Sequence, residues 1–132
     1  MTTAQAEATG VETSAPPIST AAGTGAAGFA GDNGRAASAQ LNGPYGMVVD
    51  STGTLYFSDR DNHRVRKITT DGKISNVAGT GVAGFGGDNG PATSAQLNKP
   101  RGIAMDSSGT LYIADCLNNR IRKVTADGKI ST

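Results

Sequence analysis

A chain of 132 residues with 19 glycines, no tryptophan and a net charge of +1 has neither the strongly basic stripe of a nucleic-acid-binding surface nor the run of about 20 apolar residues that spans a bilayer as a helix. Its single cysteine, Cys116, excludes a disulfide within the chain and a zinc site built from several thiolates, and reads as a small half-buried residue. The charge is uneven: all twelve Lys and Arg follow residue 17 against nine Asp, so the body carries +3 and the first 17 residues −2.

Residues 1–17, MTTAQAEATGVETSAPP, hold both glutamates and no basic or aromatic side chain. They read as a disordered tail, because so little apolar surface cannot offset the entropy of ordering. The basic start and apolar run of an export signal are missing from them, which leaves the compartment open. ISTAA (18–22) follows, and then Gly23-Thr24-Gly25-Ala26-Ala27-Gly28, a letter-for-letter match to the G-x-G-x-x-G of dinucleotide-binding loops, with Asp50 at the spacing of a ribose-binding acid. The match requires a helix after Gly28 to meet the pyrophosphate, and Gly31, Asp32, Asn33 and Gly34 oppose one. No cofactor is expected. Asp32-Asn33-Gly34 supplies one carboxylate, far short of a calcium loop, so no metal is expected either.

The glycine-rich string returns as AGTGVAGFGGDNG (78–90), and Ile18–Lys73 laid over Ile74–Lys129 without a gap matches at 36 of 56 positions. An internal repeat of this size signals a solenoid, propeller or array. Each unit breaks into short strand-like runs at Gly, Asn, Asp and Pro. In the first copy these are YGMVVD (45–50), TLYFSD (54–59), RVRKIT (64–69) and ISNVA (74–78); in the second they are RGIAMD, TLYIAD, RIRKVT and the opening IST (130–132). Asp71-Gly72 and Asp127-Gly128 punctuate hairpins. Val65 and Ile68 lie three apart, as do Ile74 and Val77, which predicts a bulge or a buried basic stem. Each glycine-rich loop is expected to be anchored by Phe29 or Phe85, with Pro91 opening a short helical turn through Leu97. Asp59 and Arg64, like Asp115 and Arg120, bracket a turn and could pair across it. ISTAA reads as a lone fourth strand preceding the first unit.

Four short hairpin-linked strands repeated in tandem describe propeller blades. The run G-T-L-Y-(F/I)-(S/A)-D-x-x-N-x-R-(V/I)-R-K, preceded by P-x-G-(M/I)-x-x-D, resembles the NHL repeat, and the added A-G-T-G-x-A-G-F-x-G-D-N-G loop resembles the longer variety of bacterial and teneurin-type NHL domains. The resemblance covers residues 18–132. It implies an all-β fold of two four-stranded antiparallel blades: repeat 1 at 18–73, repeat 2 at 74–129, and the start of a third at 130–132. It also implies a propeller, commonly six-bladed, that serves as a binding platform. Two blades cannot close a ring, so either other chains complete it, most simply as a homotrimer, or the blades belong to a longer parent.

Function is sought where the copies differ in chemical character, since the fold requires what they share. Met47/Ile103, Phe57/Ile113, Val65/Ile121 and Ile68/Val124 are swaps expected within a core. Arg35/Pro91, Gly43/Lys99, Tyr45/Arg101, Arg60/Cys116, Asp61/Leu117 and His63/Asn119 change strongly, and all six pairs map by topology to the side bearing the glycine-rich loops and the turns between second and third strands. Tyr45, Arg60, His63, Lys99 and Arg101 are the candidate contacts with a protein or cell-surface ligand; neutral drift on loops is the competing account. RNA binding through Arg60, Arg64, Arg66, Lys67, Lys99 and Arg101 is the alternative. Zinc lyases and lactonases among the relatives of the repeat need ligand sets that a lone His63 and a body without Glu do not supply, so no catalytic residues are assigned.

Overall fold

The computed structural model describes residues 17–132; apart from Pro17, the tail assigned from sequence lies outside them. Two four-stranded antiparallel sheets follow one another, each ordered as in the chain. The first holds β1 (Pro44–Val49), β2 (Leu55–Asp59), β3 (Arg64–Ile68) and β4 (Ile74–Ala78); the second holds β5 (Pro100–Met105), β6 (Leu111–Asp115), β7 (Arg120–Val124) and β8 (Ile130–Ser131). These are the propeller blades that the repeat predicts. Ile18–Ala22 forms no strand, in contrast to the sequence expectation, because no neighbouring strand offers it a ladder.

Alternation decides what each strand buries. In β6, Leu111 and Ile113 are buried and Tyr112 is exposed, so one face points inward. On one face of the first sheet, Phe57, Ile68 and Ile74 pack with Ala36 and Ala39 of the sheet's own glycine-rich loop. On the other, Val65 and Ala78 pack with Leu97, Leu111, Ile113 and Val124 of the second sheet and its loop. The broken parities are thereby resolved: Val65 faces the next sheet and Ile68 faces its own loop. Val65 pairs with Ala78 while Arg66 pairs with Asn76, so Val77 is the extra residue of a bulge. Where no sheet lies alongside, the equivalent side chains emerge. Val65 is fully buried, whereas its counterpart Ile121 is 59% exposed and Met47 is 63% exposed, correcting the expectation that these swaps all lie within a core.

Each glycine-rich loop does more than join two blades. From Gly28, whose N–H meets Leu41 O, the chain crosses its sheet until Asn33 N–H reaches Ile74 O and Ala36 N–H reaches Gly72 O, then returns through Gln40. Arg35 consequently bridges to Lys73, and Pro91 to Lys129, beside the turns between third and fourth strands. Topology had assigned this pair to the opposite end; a loop long enough to cross the sheet and come back explains the difference. The helical turns are single 3-10 turns, Ala36–Ser38 and Ala92–Ser94, so the second stops short of Leu97.

A buried arginine fastens each loop. Arg66 has no exposed side-chain surface; its Nη1 donates to Asp59 Oδ2 at 3.0 Å and Gln40 O at 2.7 Å, and its Nη2 to Asp32 Oδ1 at 3.0 Å and Ala30 O at 3.2 Å. Arg122 repeats this with Asp115, Gln96, Asp88 and Gly86. Phe29 lies beneath Arg64 and Arg66, at 3.9 and 4.6 Å from ring centroid to guanidinium. The partner of Asp59 is therefore Arg66 and not Arg64, which stacks on Phe29 and donates to Thr80 O at 2.6 Å. Removing one member of a buried ion pair strands the other charge. Arg66→Ala is expected to lower the unfolding free energy by about 3–5 kcal/mol, against about 1 kcal/mol for Arg64→Ala, measured by urea titration.

Candidate functional site

All five candidate contacts meet at one end of the seam between the sheets. Tyr45 stands near the start of β1, Arg60 and His63 on the β2–β3 turn, and Lys99 and Arg101 where the chain enters β5. The guanidinium carbons of Arg60 and Arg101 lie 5.6 and 5.5 Å from the centroid of the Tyr45 ring. Lys99 Nζ is 3.0 Å from Asp61 Oδ1, and Arg60 Nε is 3.3 Å from the same oxygen. The backbone N–H of Lys99 donates to His63 Nδ1 at 3.1 Å, across the seam. The sixth divergent pair, Arg35/Pro91, lies elsewhere, as its bridges require.

The framework beneath this cluster is set by residues that the copies share. Asp59 Oδ1 accepts Asn42 N–H at 2.7 Å, its Oδ2 accepts Asn62 Nδ2–H at 2.8 Å, and Asn62 Nδ2 also donates to Gly28 O at 2.8 Å. The β2–β3 turn is a 3-10 turn, Arg60–Asn62, closed by His63 in the left-handed region at φ 54°. Lys99 is left-handed too, at φ 52°, where the first copy has Gly43 at φ 73°. A side chain there costs about 1 kcal/mol or more. Lys99 offsets that cost with a contact glycine cannot make, its ammonium on Asp61.

Asp61 is the member that sequence reasoning left out of the contact set, although its divergence to Leu117 signalled it. Hydrogen bonds from Lys99 and then Arg60 hold its carboxyl below the usual carboxylate range. The pKa of His63 is lowered too, from 6.5, by burial first and the Lys99 ammonium second, which favours the neutral ring, and Nδ1 must stay unprotonated to accept the Lys99 N–H. Among the described residues, no group of three His, Cys, Asp or Glu side chains could hold a metal. Cys116 is half-buried in the β6–β7 turn.

Because the folded pKa of His63 lies below the unfolded value, the unfolded chain binds more protons on acidification, and stability present above about pH 6.5 is lost as pH falls through the folded pKa. His63→Asn, the residue found at Asn119, is expected to flatten the stability change between pH 7.5 and 5.5, as read from urea midpoints at the two pH values.

Residues 81–132 match the family model described as the Teneurin NHL domain. Human Teneurin-4 is 37% identical over 97 residues, covering 64% of this chain and 4% of that protein. An auxiliary nutrient binding protein from Bacteroides thetaiotaomicron is 30% identical with a TM-score of 0.63, covering 78% of this chain and 27% of that one. A streptogramin B lyase shares the fold at a TM-score of 0.50 and 25% identity, covering 67% and 25% of the two chains. The chain spans less than a tenth of the length of the curated relatives it matches. With its repeated strand runs, its two four-stranded blades and these matches, the chain belongs to the NHL-repeat β-propeller family.

Proposed function

We propose that this pair of NHL blades is a non-catalytic binding module whose seam end, bearing Tyr45, Arg60, His63, Lys99 and Arg101, contacts a protein or cell-surface ligand. The observation that carries the reading is that residues at which two otherwise matching copies diverge touch one another in a single cluster. Tyr45 is 56% exposed, and Tyr and Arg are the types that interfaces favour. The likeness to a nutrient binding protein and to a teneurin domain supports binding as the coarse function. The likeness to a lyase is set against the state of the two titratable groups nearest the seam's centre: His63 Nδ1 already accepts a backbone N–H, and Asp61 is held by two cations, so neither stands ready as a general base. Fluorescently labelled chain should bind the surface of the producing cells, Tyr45→Ala/Arg60→Ala should abolish that binding, and Lys123→Ala on the exposed side of β7 should leave it intact. Equal loss with all variants, or none, counts against the seam as the contact face.

We also infer that further copies cover the open faces of the blade pair. Within the chain, Ile103, Met105, Leu111 and Ile113 of the second sheet pack against Val48, Tyr56 and Val65 of the first. The same positions lie open at the two outer faces: Met47 and Val49 on one, Tyr112 and Ile121 on the other. A face that fits its complement once fits it again in a head-to-tail contact, and such contacts close into rings when the rotation allows. Three chains would give six blades. Light scattering should return a mass of three chains, and Ile121→Asp should reduce it to one; a wild-type monomer removes the assembly.

A further inference from the structure

We infer that the ligand of the seam is an acidic segment of a protein partner, recognised through its carboxylates by Arg60, Lys99 and Arg101 around Tyr45. This rests on the seam being the contact face. Three permanent cations surround one carboxylate, Asp61, while His63 is neutral, so the cluster carries +2 in a chain whose total is +1. Arg101 has no carboxylate partner among the described residues and is exposed. Arg60 meets both Asp61 oxygens through Nε and Nη2 and Lys99 meets one of them, and with side chains 30% and 43% exposed Arg60 Nη1 and the remaining ammonium N–H groups are left for an incoming anion.

The geometry favours carboxylates over the phosphates of a nucleic acid. Guanidinium forks pair with carboxylates and phosphates alike through two parallel hydrogen bonds, and the Tyr45 ring has one guanidinium carbon 5.6 Å and the other 5.5 Å from its centroid, so the choice between the two anions falls to the spread of charge around them. A nucleic-acid groove needs a continuous basic track. Here the other arginines of the strands are committed: Arg64 and Arg66 to Phe29, and Arg120 and Arg122 to Phe85. Lys73 and Lys129 lie at the turn before the fourth strand, bridged to Arg35 and Pro91. Asp61 adds a repulsive charge in the middle of the patch. It opposes a dense polyanion more than a spaced pair of carboxylates.

Fluorescence anisotropy with labelled hexaglutamate, hexaglutamine and a six-nucleotide single strand tests this at low salt. Two variants separate binding from folding: Arg101→Gln removes the unpaired fork, and Lys99→Gly restores the residue of the first copy while relieving the left-handed strain, so the fold is retained. Hexaglutamate should bind, hexaglutamine should not, and each variant should weaken hexaglutamate by about tenfold. Absent hexaglutamate binding, equal binding of both peptides, indifference to both variants, or an oligonucleotide that binds as tightly would each overturn the acidic-segment assignment. If the Tyr45→Ala/Arg60→Ala variant loses cell-surface binding while hexaglutamate stays unbound, the face stands and the ligand class falls.

Discussion

In each blade the terminal nitrogens of a guanidinium with no exposed surface donate to two carboxylates and two backbone carbonyls, and one carboxylate and both carbonyls come from the glycine-rich loop. A charge withdrawn from water is tolerated only while its partners stay in place, so the loop cannot lift from the sheet without taking Asp32, Ala30 and Gln40 from Arg66 and leaving its guanidinium with Asp59 alone. Phe29 and Phe85 stack on these guanidinia at 4.6 Å. The same Asp59 that anchors Arg66 also receives Asn42 N–H, and Asn42 stands immediately before the chain enters β1. The loop, the β2–β3 turn and the first strand are thereby fixed relative to one another, and the second blade repeats the arrangement through Asp115 and Asn98.

That shared frame lets a few positions change freely. Residues common to the copies hold the turn, whereas the differing ones are carried on top of it: Gly43 becomes Lys99, and Tyr45 becomes Arg101. The first blade contributes the ring, one guanidinium, the carboxylate and the imidazole; the second contributes the ammonium and the other guanidinium. Two of the five left-handed residues other than glycine among the described residues, His63 and Lys99, are hydrogen-bonded to each other.

The blades were legible because their signals are local. Alternation in TLYIAD and the Asp-Gly turns specify strands and hairpins within a few residues, and the repeat doubles each signal. The loop's path was not, since its anchors are remote: Arg66 finds Asp32 across 34 positions, and no periodicity connects them. Pairing Asp59 with Arg64 followed the nearest cation in the turn, but Arg64 is drawn to Phe29 and to Thr80 of the following loop. Divergence between copies picked out Tyr45, Arg60, His63, Lys99 and Arg101 because neighbouring blades place equivalent ends side by side. Asp61 diverges as well, to Leu117, but sequence reasoning left it out of the contact set, since its role comes from a lysine 38 positions away. Arg35 and Pro91 misled it because the loop turns back.

One hydroxyl crosses the seam between the two sheets. Ser58 Oγ accepts Gly46 N–H at 2.9 Å and donates to Arg101 O at 2.5 Å, stitching β1 to β5 where a methyl on Gly46 would come within 2.6 Å of the same carbonyl. The second copy has Ala114 at that position and lacks the stitch. The two blades are therefore tied to each other by a polar bond as well as by apolar packing, and the outer face at Ala114 carries no hydroxyl to offer the same tie.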